Sequence, residues 1–136
     1  MTAPLERGGV SERLVLKNRK HMVLYQGEQY TQYIGGDNVD PAVCEQILLA
    51  VVNESRTKRF LFFGLNVIEG VTFDGTVQVS DDTEYAVMID FTSELTQRLP
   101  PGKYFLEAAR ELPDGQVIKD QVELFTIVKS YTVERP

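Results

Sequence analysis

The stretch YAVMIDF, residues 85–91, shows a clean two-residue alternation of side chains. In an extended chain, one side of this stretch would carry Tyr85, Val87, Ile89 and Phe91. Successive side chains of a β-strand point to opposite faces of its sheet. The stretch therefore predicts a strand that buries one face against a core and leaves the other face, with Asp90, toward water.

Similar short runs rich in Val, Ile, Phe, Tyr and Thr recur about every ten residues from Met22 onward, with turn signals between them. This spacing is typical of β-sandwiches and β-barrels. A chain of 136 residues fits one domain. We predict an all-β fold, a single immunoglobulin-like antiparallel β-sandwich. The residues expected in its core include Val87, Ile89, Leu106 and Leu124.

Two turns and one apolar run set more specific expectations. Asp74-Gly75 lies between the strand-like residues 67–73 and 76–80, which is a strong signal for a β-hairpin. Gln26-Gly27-Glu28 separates two strand-like runs in the same way and predicts a second short hairpin. The run FLFF at residues 60–63 is apolar on both faces, so its strand has to be covered on both sides.

Two segments carry helical features within this β pattern. Asp40-Pro41 fits a helix N-cap followed by proline at the first helical position, and apolar residues follow at helical spacing. The β-rich context favours a strand over residues 41–53, and a helix remains the alternative. A short helical turn is predicted at residues 93–99, with Leu95 and Leu99 facing inward.

Charge divides the chain into an N-terminal arm, residues 1–21, and a β-sandwich domain, residues 22–136. The arm has five basic and two acidic residues, a balance of +3, whereas the rest has nine basic and eighteen acidic residues, a balance of −9. An acidic body repels phosphate backbones, so we expect no nucleic-acid partner. No apolar run reaches the roughly 18–20 residues of a membrane span, so no membrane partner is expected.

The sequence carries few residues suited to catalysis. His21 is the only histidine and Cys44 the only cysteine, so neither a nucleophile–histidine device nor a zinc site can be assembled from these residue types. Asp90 and Glu94 could form a carboxylate pair, but Asp90 falls on the predicted solvent face. Asp81, Asp82 and Glu84 fit a turn better than a calcium loop. We therefore predict no enzyme activity, no metal and no cofactor.

The segment from Leu99 to Gly115 has the pattern Leu99-x-x-Gly102-x-Tyr104, followed by a turn at Asp114-Gly115 and a closing strand. This order of elements resembles the small immunoglobulin-like modules of tailed-phage virions, in particular the N-terminal domain of upper baseplate proteins of lactococcal phages. The likeness covers about residues 22–132. A tyrosine at the position of Tyr104 is able to hydrogen-bond back across a strand corner, so Gly102 and Tyr104 are expected to form a structural turn.

What the resemblance implies is a structural part of a virion, in its tail, baseplate or neck, assembled in the host cytoplasm. Its partners would be other virion proteins and copies of itself, in a homo-oligomer. One alternative is a capsid decoration or cement protein. An alternative of another class is a β-sandwich that binds carbohydrate or another ligand, for which the six tyrosines would supply stacking surfaces.

The arm is the candidate interface of this assembly. It lacks any helical or strand period, so we expect it to become ordered by contact with a neighbouring subunit. The expected apolar anchors are Leu14, Val15 and Leu16, and the residues expected to face acidic surface are Arg7, Arg13, Arg19 and Lys20.

Overall fold

The computed structural model describes residues 15–16, 22–35, 40–81 and 85–129, and only the backbone at residues 15, 16, 22 and 121–124. These residues contain a short 3-10 turn (Pro41–Val43) and a helix, α1 (Ser93–Gln97). Their ten strands are β1 (Val15–Leu16), β2 (Met22–Tyr25), β3 (Tyr30–Gly35), β4 (Gln46–Asn53), β5 (Arg59–Gly64), β6 (Gly75–Thr76), β7 (Gln78–Val79), β8 (Val87–Phe91), β9 (Gly102–Glu111) and β10 (Val117–Val128). In this part of the chain, no helix is long and apolar enough to cross a membrane.

The strands form two sheets that face each other across one core. A four-stranded sheet has the order β1-β3-β8-β7, and a six-stranded sheet has the order β2-β10-β9-β4-β5-β6. Most pairs are antiparallel, while β2 with β10 and β5 with β6 are parallel. The chain is thus an all-β immunoglobulin-like sandwich, as the alternation predicts, with two short parallel pairs at the edges of its larger sheet.

The alternation of the sequence places the core. In β8, Val87, Ile89 and Phe91 are fully buried, and in β9 Leu106 is buried on the facing sheet. Three of the four predicted core residues are therefore confirmed. The side chain of Leu124 lies outside the described residues, and the buried residues of its strand are Phe125 and Ile127.

A chain of aromatic rings crosses the core from sheet to sheet. The Phe91 ring lies 5.8 Å from that of Phe63 and 6.0 Å from that of Phe125, measured between centroids. The Phe125 ring stacks on Tyr104 at 5.7 Å, and Phe60 meets the edge of Tyr104 at 5.3 Å. Such pairs contribute about 0.5–1.5 kcal/mol each beyond the burial of their area.

Part of the predicted arm belongs to the domain. β1 pairs with β3, with Val15 opposite Gly35 and Leu16 opposite Ile34. The next strand, β2, joins the other sheet beside β10. Val15 and Leu16 therefore pair with the sandwich of their own chain, although the sequence predicts both in the arm, residues 1–21, as contacts to a neighbouring subunit. The other expected arm residues lie outside the described residues: Arg7, Arg13, Leu14, Arg19 and Lys20.

The two expected hairpins are wrong, because the runs on either side of each turn do not pair with each other. β2 belongs to the six-stranded sheet and β3 to the four-stranded sheet, so Gln26-Gly27-Glu28 is a corner between sheets. Residues 67–73 form no strand, and the run after Asp74 divides into β6 on the larger sheet and β7 on the smaller.

Both segments with helical features form a short helical element, a 3-10 turn at Pro41–Val43 and the helix α1 at Ser93–Gln97. Asp40 caps the 3-10 turn, since its Oδ1 accepts from Ala42 N at 2.9 Å, and the strand favoured for residues 41–53 begins only at Gln46. In α1 the Thr92 hydroxyl caps the helix by accepting from Leu95 N at 3.2 Å. Leu95 and Leu99 are buried, as predicted.

The corner before β9 has the expected hydrogen bond. The Tyr104 hydroxyl donates to the carbonyl oxygen of Pro100, and burial raises the pKa of this tyrosine, which keeps the donor protonated. Gly102 begins the strand with a φ of +154°, a value that residues with a Cβ rarely adopt. No atom lies within 4 Å of the position that a Cβ would take at Gly102, so only the backbone conformation restricts this position.

Loss of either feature of the corner is expected to destabilise the domain. Tyr104→Phe removes a buried donor and should lower the free energy of unfolding by about 1 kcal/mol. Gly102→Val should lower it by about 1–3 kcal/mol through backbone strain. Chemical denaturation measures both, with Lys103→Val at the exposed position between them as the control. Unchanged midpoints in Tyr104→Phe and Gly102→Val would show that the corner does not stabilise the fold.

Candidate interaction site

The described residues contain no cluster of side chains suited to metal binding. Among residues 15–16, 22–35, 40–81 and 85–129, no group of three or more His, Cys, Asp or Glu side chains could hold a metal ion. The Cys44 thiol lies 3.7 Å from the carbonyl oxygen of Asp40. Burial raises the pKa of this thiol, and the nearby Arg110 only partly opposes that effect. A raised pKa leaves Cys44 a weak nucleophile.

The carboxyl group of Asp90 is used within its own sheet. Its Oδ1 accepts from the Thr31 hydroxyl at 2.6 Å, and its Oδ2 accepts from the Gln78 amide at 2.9 Å. These bonds tie β8 to both of its neighbours and lower the pKa of Asp90. With both oxygens engaged, Asp90 serves the sheet rather than a carboxylate pair with Glu94.

The feature that stands out is the loop of residues 65–74, which joins β5 to β6 and which we call the 65–74 loop. It leaves β5 beside the turn between β9 and β10 and returns along the outer edge of the larger sheet. Binding residues lie disproportionately often on loops that a rigid scaffold holds in place.

Gln46 fixes the start of this loop. Its side chain is 7% exposed, and its Oε1 accepts from Leu65 N at 3.1 Å, from Asn66 N at 2.9 Å and from Ile47 N at 3.0 Å. Its Nε2 donates to the Asn66 carbonyl oxygen at 2.7 Å. One buried amide therefore holds both backbone groups of Asn66, whose own amide donates to the Glu45 carbonyl at 2.9 Å.

Asp74 and Phe73 fix the end of the loop. Asp74 N donates to the Phe62 carbonyl oxygen at 2.7 Å, and Asp74 Oδ2 accepts from Phe62 N at 2.8 Å. The Phe73 ring lies over Gly64, where a Cβ would come within 2.3 Å of it, and contacts the Phe62 ring at 5.0 Å. Phe73 thereby supplies the second cover that the FLFF run requires.

Between these two fixed ends, the loop exposes apolar side chains. Val67 is 93% exposed, and Ile68 and Val71 are 37% and 39% exposed. A turn closed by Val71 N donating to the Ile68 carbonyl at 3.1 Å orders this tip. Because its ends and its turn are already fixed, the tip would lose little conformational entropy on binding.

The surroundings of the tip are acidic and partly apolar. Val67 and Ile68 line an open groove of about 460 Å³ together with Leu112 and Pro113 of the β9–β10 turn. Glu45 and Glu111 lie at the same groove, and Glu69 is exposed on the loop itself. The arrangement is an apolar contact surface with a negatively charged rim, which suits protein recognition better than the binding of an anion.

The sequence-predicted site residues fall elsewhere. Gly102 and Tyr104 form the corner described above, and Val15 and Leu16 lie in β1. Sequence reasoning missed the 65–74 loop because residues 67–73 alternate well enough to suggest a strand. A usable signal was Gln46, a polar residue at the head of an otherwise apolar run.

Comparison with known proteins adds little to this description. No family model and no curated protein matches the sequence. Among solved structures, the fibronectin(III)-like modules of Clostridium thermocellum CbhA match at 13% identity and a TM-score of 0.46, over 85% of this chain and 94% of theirs. Murine CRIg matches at 12% identity and a TM-score of 0.47, over 87% of this chain and 98% of its own. At this identity and TM-score, neither likeness bears on function.

Gln46→Ala is expected to free the start of the 65–74 loop. The backbone N–H of Asn66 loses its acceptor, the Gln46 side chain, so the free energy of unfolding should fall by about 2–3 kcal/mol. A glutamate-specific protease should also cut faster after Glu69, and the exposed Gln116→Ala is the matched control. Equal cleavage rates in the two variants would mean that Gln46 does not hold the loop.

Asp90→Asn is expected to change how stability depends on pH. The Thr31 and Gln78 hydrogen bonds lower the pKa of Asp90 from 3.8 in the folded state, so the ionised carboxyl stabilises the fold above that pH. This contribution is lost as the pH falls through the lowered pKa. Denaturation midpoints measured from neutral pH down to about pH 2 should therefore fall more steeply in the parent protein than in Asp90→Asn. Parallel curves would contradict this assignment.

Proposed function

We propose that this chain is a non-catalytic assembly module that binds protein subunits, including copies of itself, through the 65–74 loop. The observation that carries the proposal is the 93% exposure of Val67 in a loop that hydrogen bonds hold at both ends. An exposed apolar side chain on a fixed loop gains free energy only when a partner covers it.

Burial of the exposed loop side chains by a partner would supply the free energy of binding. Complete burial of a Val or Ile side chain contributes about 1.5–3 kcal/mol. Val67, which is 93% exposed, therefore offers most of this free energy to a partner, and Ile68 and Val71, which are 37% and 39% exposed, add a smaller share. Each 1.4 kcal/mol changes affinity about tenfold.

We further propose that the assembly is a tailed-phage particle, with the chain as a structural part of its tail, baseplate or neck. The support is the resemblance carried by Leu99, Gly102 and Tyr104 within an immunoglobulin-like sandwich. The module would then act in the virion, with other virion proteins as partners and without a cofactor. A role as a capsid decoration protein would use the same contact surface.

Val67→Asp tests the binding role of the loop. Because Val67 is almost fully exposed, the substitution should leave thermal unfolding unchanged while weakening self-association at least tenfold, as measured by sedimentation velocity over a concentration series. Val79→Asp is the matched control, since Val79 is 63% exposed on the edge strand of the other sheet. A Val67→Asp variant that associates like the parent, or a parent that stays monomeric and binds glycans saturably, would refute the proposal.

A further inference from the structure

The outer face of the six-stranded sheet is basic, although the domain as a whole is acidic. Exposed cations come from the turn before β5, from β5 itself, and from β9 and β10: Arg56, Arg59, Lys103 and Lys119. They make up four of the nine basic residues in a body that carries eighteen acidic ones. We call this surface the basic face.

Aromatic rings hold two of these cations close to the sheet. The Arg59 guanidinium lies 3.8 Å from the centre of the Phe62 ring, and that of Arg56 lies 4.5 Å from the centre of the Phe105 ring. Each contact restrains a flexible side chain before any partner arrives, which lowers the entropy lost on binding.

The basic face encloses an apolar depression. A groove of about 330 Å³ has Leu48, Ala50, Phe62 and Ala109 among its lining residues. Ala50 and Ala109 leave space at the base of the groove because the side chains beside them, among them Leu48 and Phe62, are larger. Arg56, which pairs with Glu107 at 3.0 Å, and Lys119 stand at the rim of the groove. The groove is thus apolar at its base, and its rim carries Lys119 and the Arg56–Glu107 ion pair, with Arg59 over the Phe62 ring.

We propose that the 65–74 loop of one copy docks into the basic face of the next copy, an inference that rests on the assembly role proposed above. The loop presents Val67 and Ile68 with an acidic rim of Glu45, Glu69 and Glu111. The groove presents an apolar base surrounded by three cations, Arg56, Arg59 and Lys119, and one carboxylate, that of Glu107. The two surfaces therefore match in both polarity and charge. Such matching favours this partner over an acidic or a neutral one.

The two surfaces share no residue, and this determines the kind of assembly. A contact between different patches of identical chains is heterologous, so each copy keeps one free loop and one free groove for further copies. Repetition closes into a ring when the rotation allows it and otherwise extends as a filament. The contact thus produces rings or filaments and not isolated two-fold dimers.

Charge reversal on each surface tests the contact. One variant carries Arg59→Glu and Lys119→Glu on the basic face, and a second carries Glu69→Lys and Glu111→Lys at the loop. Each alone should associate at least tenfold more weakly than the parent, because like charges then face each other. Mixed in equal amounts, the two variants should assemble again with a one-to-one composition. The acidic loop of the first variant then meets the basic face of the second, and the basic loop of the second meets the acidic face of the first.

The controls separate this inference from the assembly role itself. Asp81→Lys with Glu94→Lys makes the same change in net charge as the loop variant at exposed sites away from both surfaces and should assemble like the parent. Thermal unfolding checks that every variant is folded. If Val67→Asp abolishes association while the charge variants assemble normally, or if their mixture stays monomeric, the loop binds elsewhere and this inference fails alone. A parent that is monomeric at all concentrations overturns both proposals.

Discussion

The Phe91 ring, packed between Phe63 and Phe125, is the contact on which the sandwich depends most. It is the side chain of the four-stranded sheet that meets two rings of the six-stranded sheet, at 5.8 and 6.0 Å. Antibody domains join their two sheets by a disulfide against a tryptophan, and this sequence has one cysteine and no tryptophan. Stacking of Phe125 on Tyr104 extends the same aromatic packing to the corner at Pro100.

Strand β9 changes character along its inner face, from Tyr104 at one end to Arg110 at the other. Arg110 and Asp120 have side chains only 3% and 6% exposed, with Nη2 and Oδ2 3.5 Å apart. A buried ion pair adds little net stability, but a buried charge that loses its partner costs several kcal/mol. A slip of β10 by one residue would turn Asp120 to the outer face and leave Arg110 without it. The pair therefore disfavours wrong registers between the two longest strands.

Sequence patterns predicted the parts of this fold that depend on neighbouring residues. The alternation over residues 85–91 correctly located the buried face of β8, and the spacing around Leu99 and Tyr104 located the corner. Local patterns failed where a distant residue decides the path of the chain. Asp74-Gly75 reads as a hairpin, but Asp74 bonds to Phe62, twelve residues earlier, and Phe73 packs on Gly64. Gln46 likewise fixes Asn66 from twenty residues away.

The position of the 65–74 loop explains why one segment could serve both the domain and its partners. An exposed edge strand such as β5 invites unspecific pairing, and proteins commonly protect it with short strands or covering loops. Here the loop and the two-residue strand β6 cover that edge, where Asp74 hydrogen-bonds to β5 and the Phe73 ring packs on Phe62 of β5. These contacts also fix the end of the loop, while Gln46 fixes its start, and the tip between them holds Val67 out from the sheet. The assembly proposed above would therefore use a defined tip and not an unspecific contact along the edge.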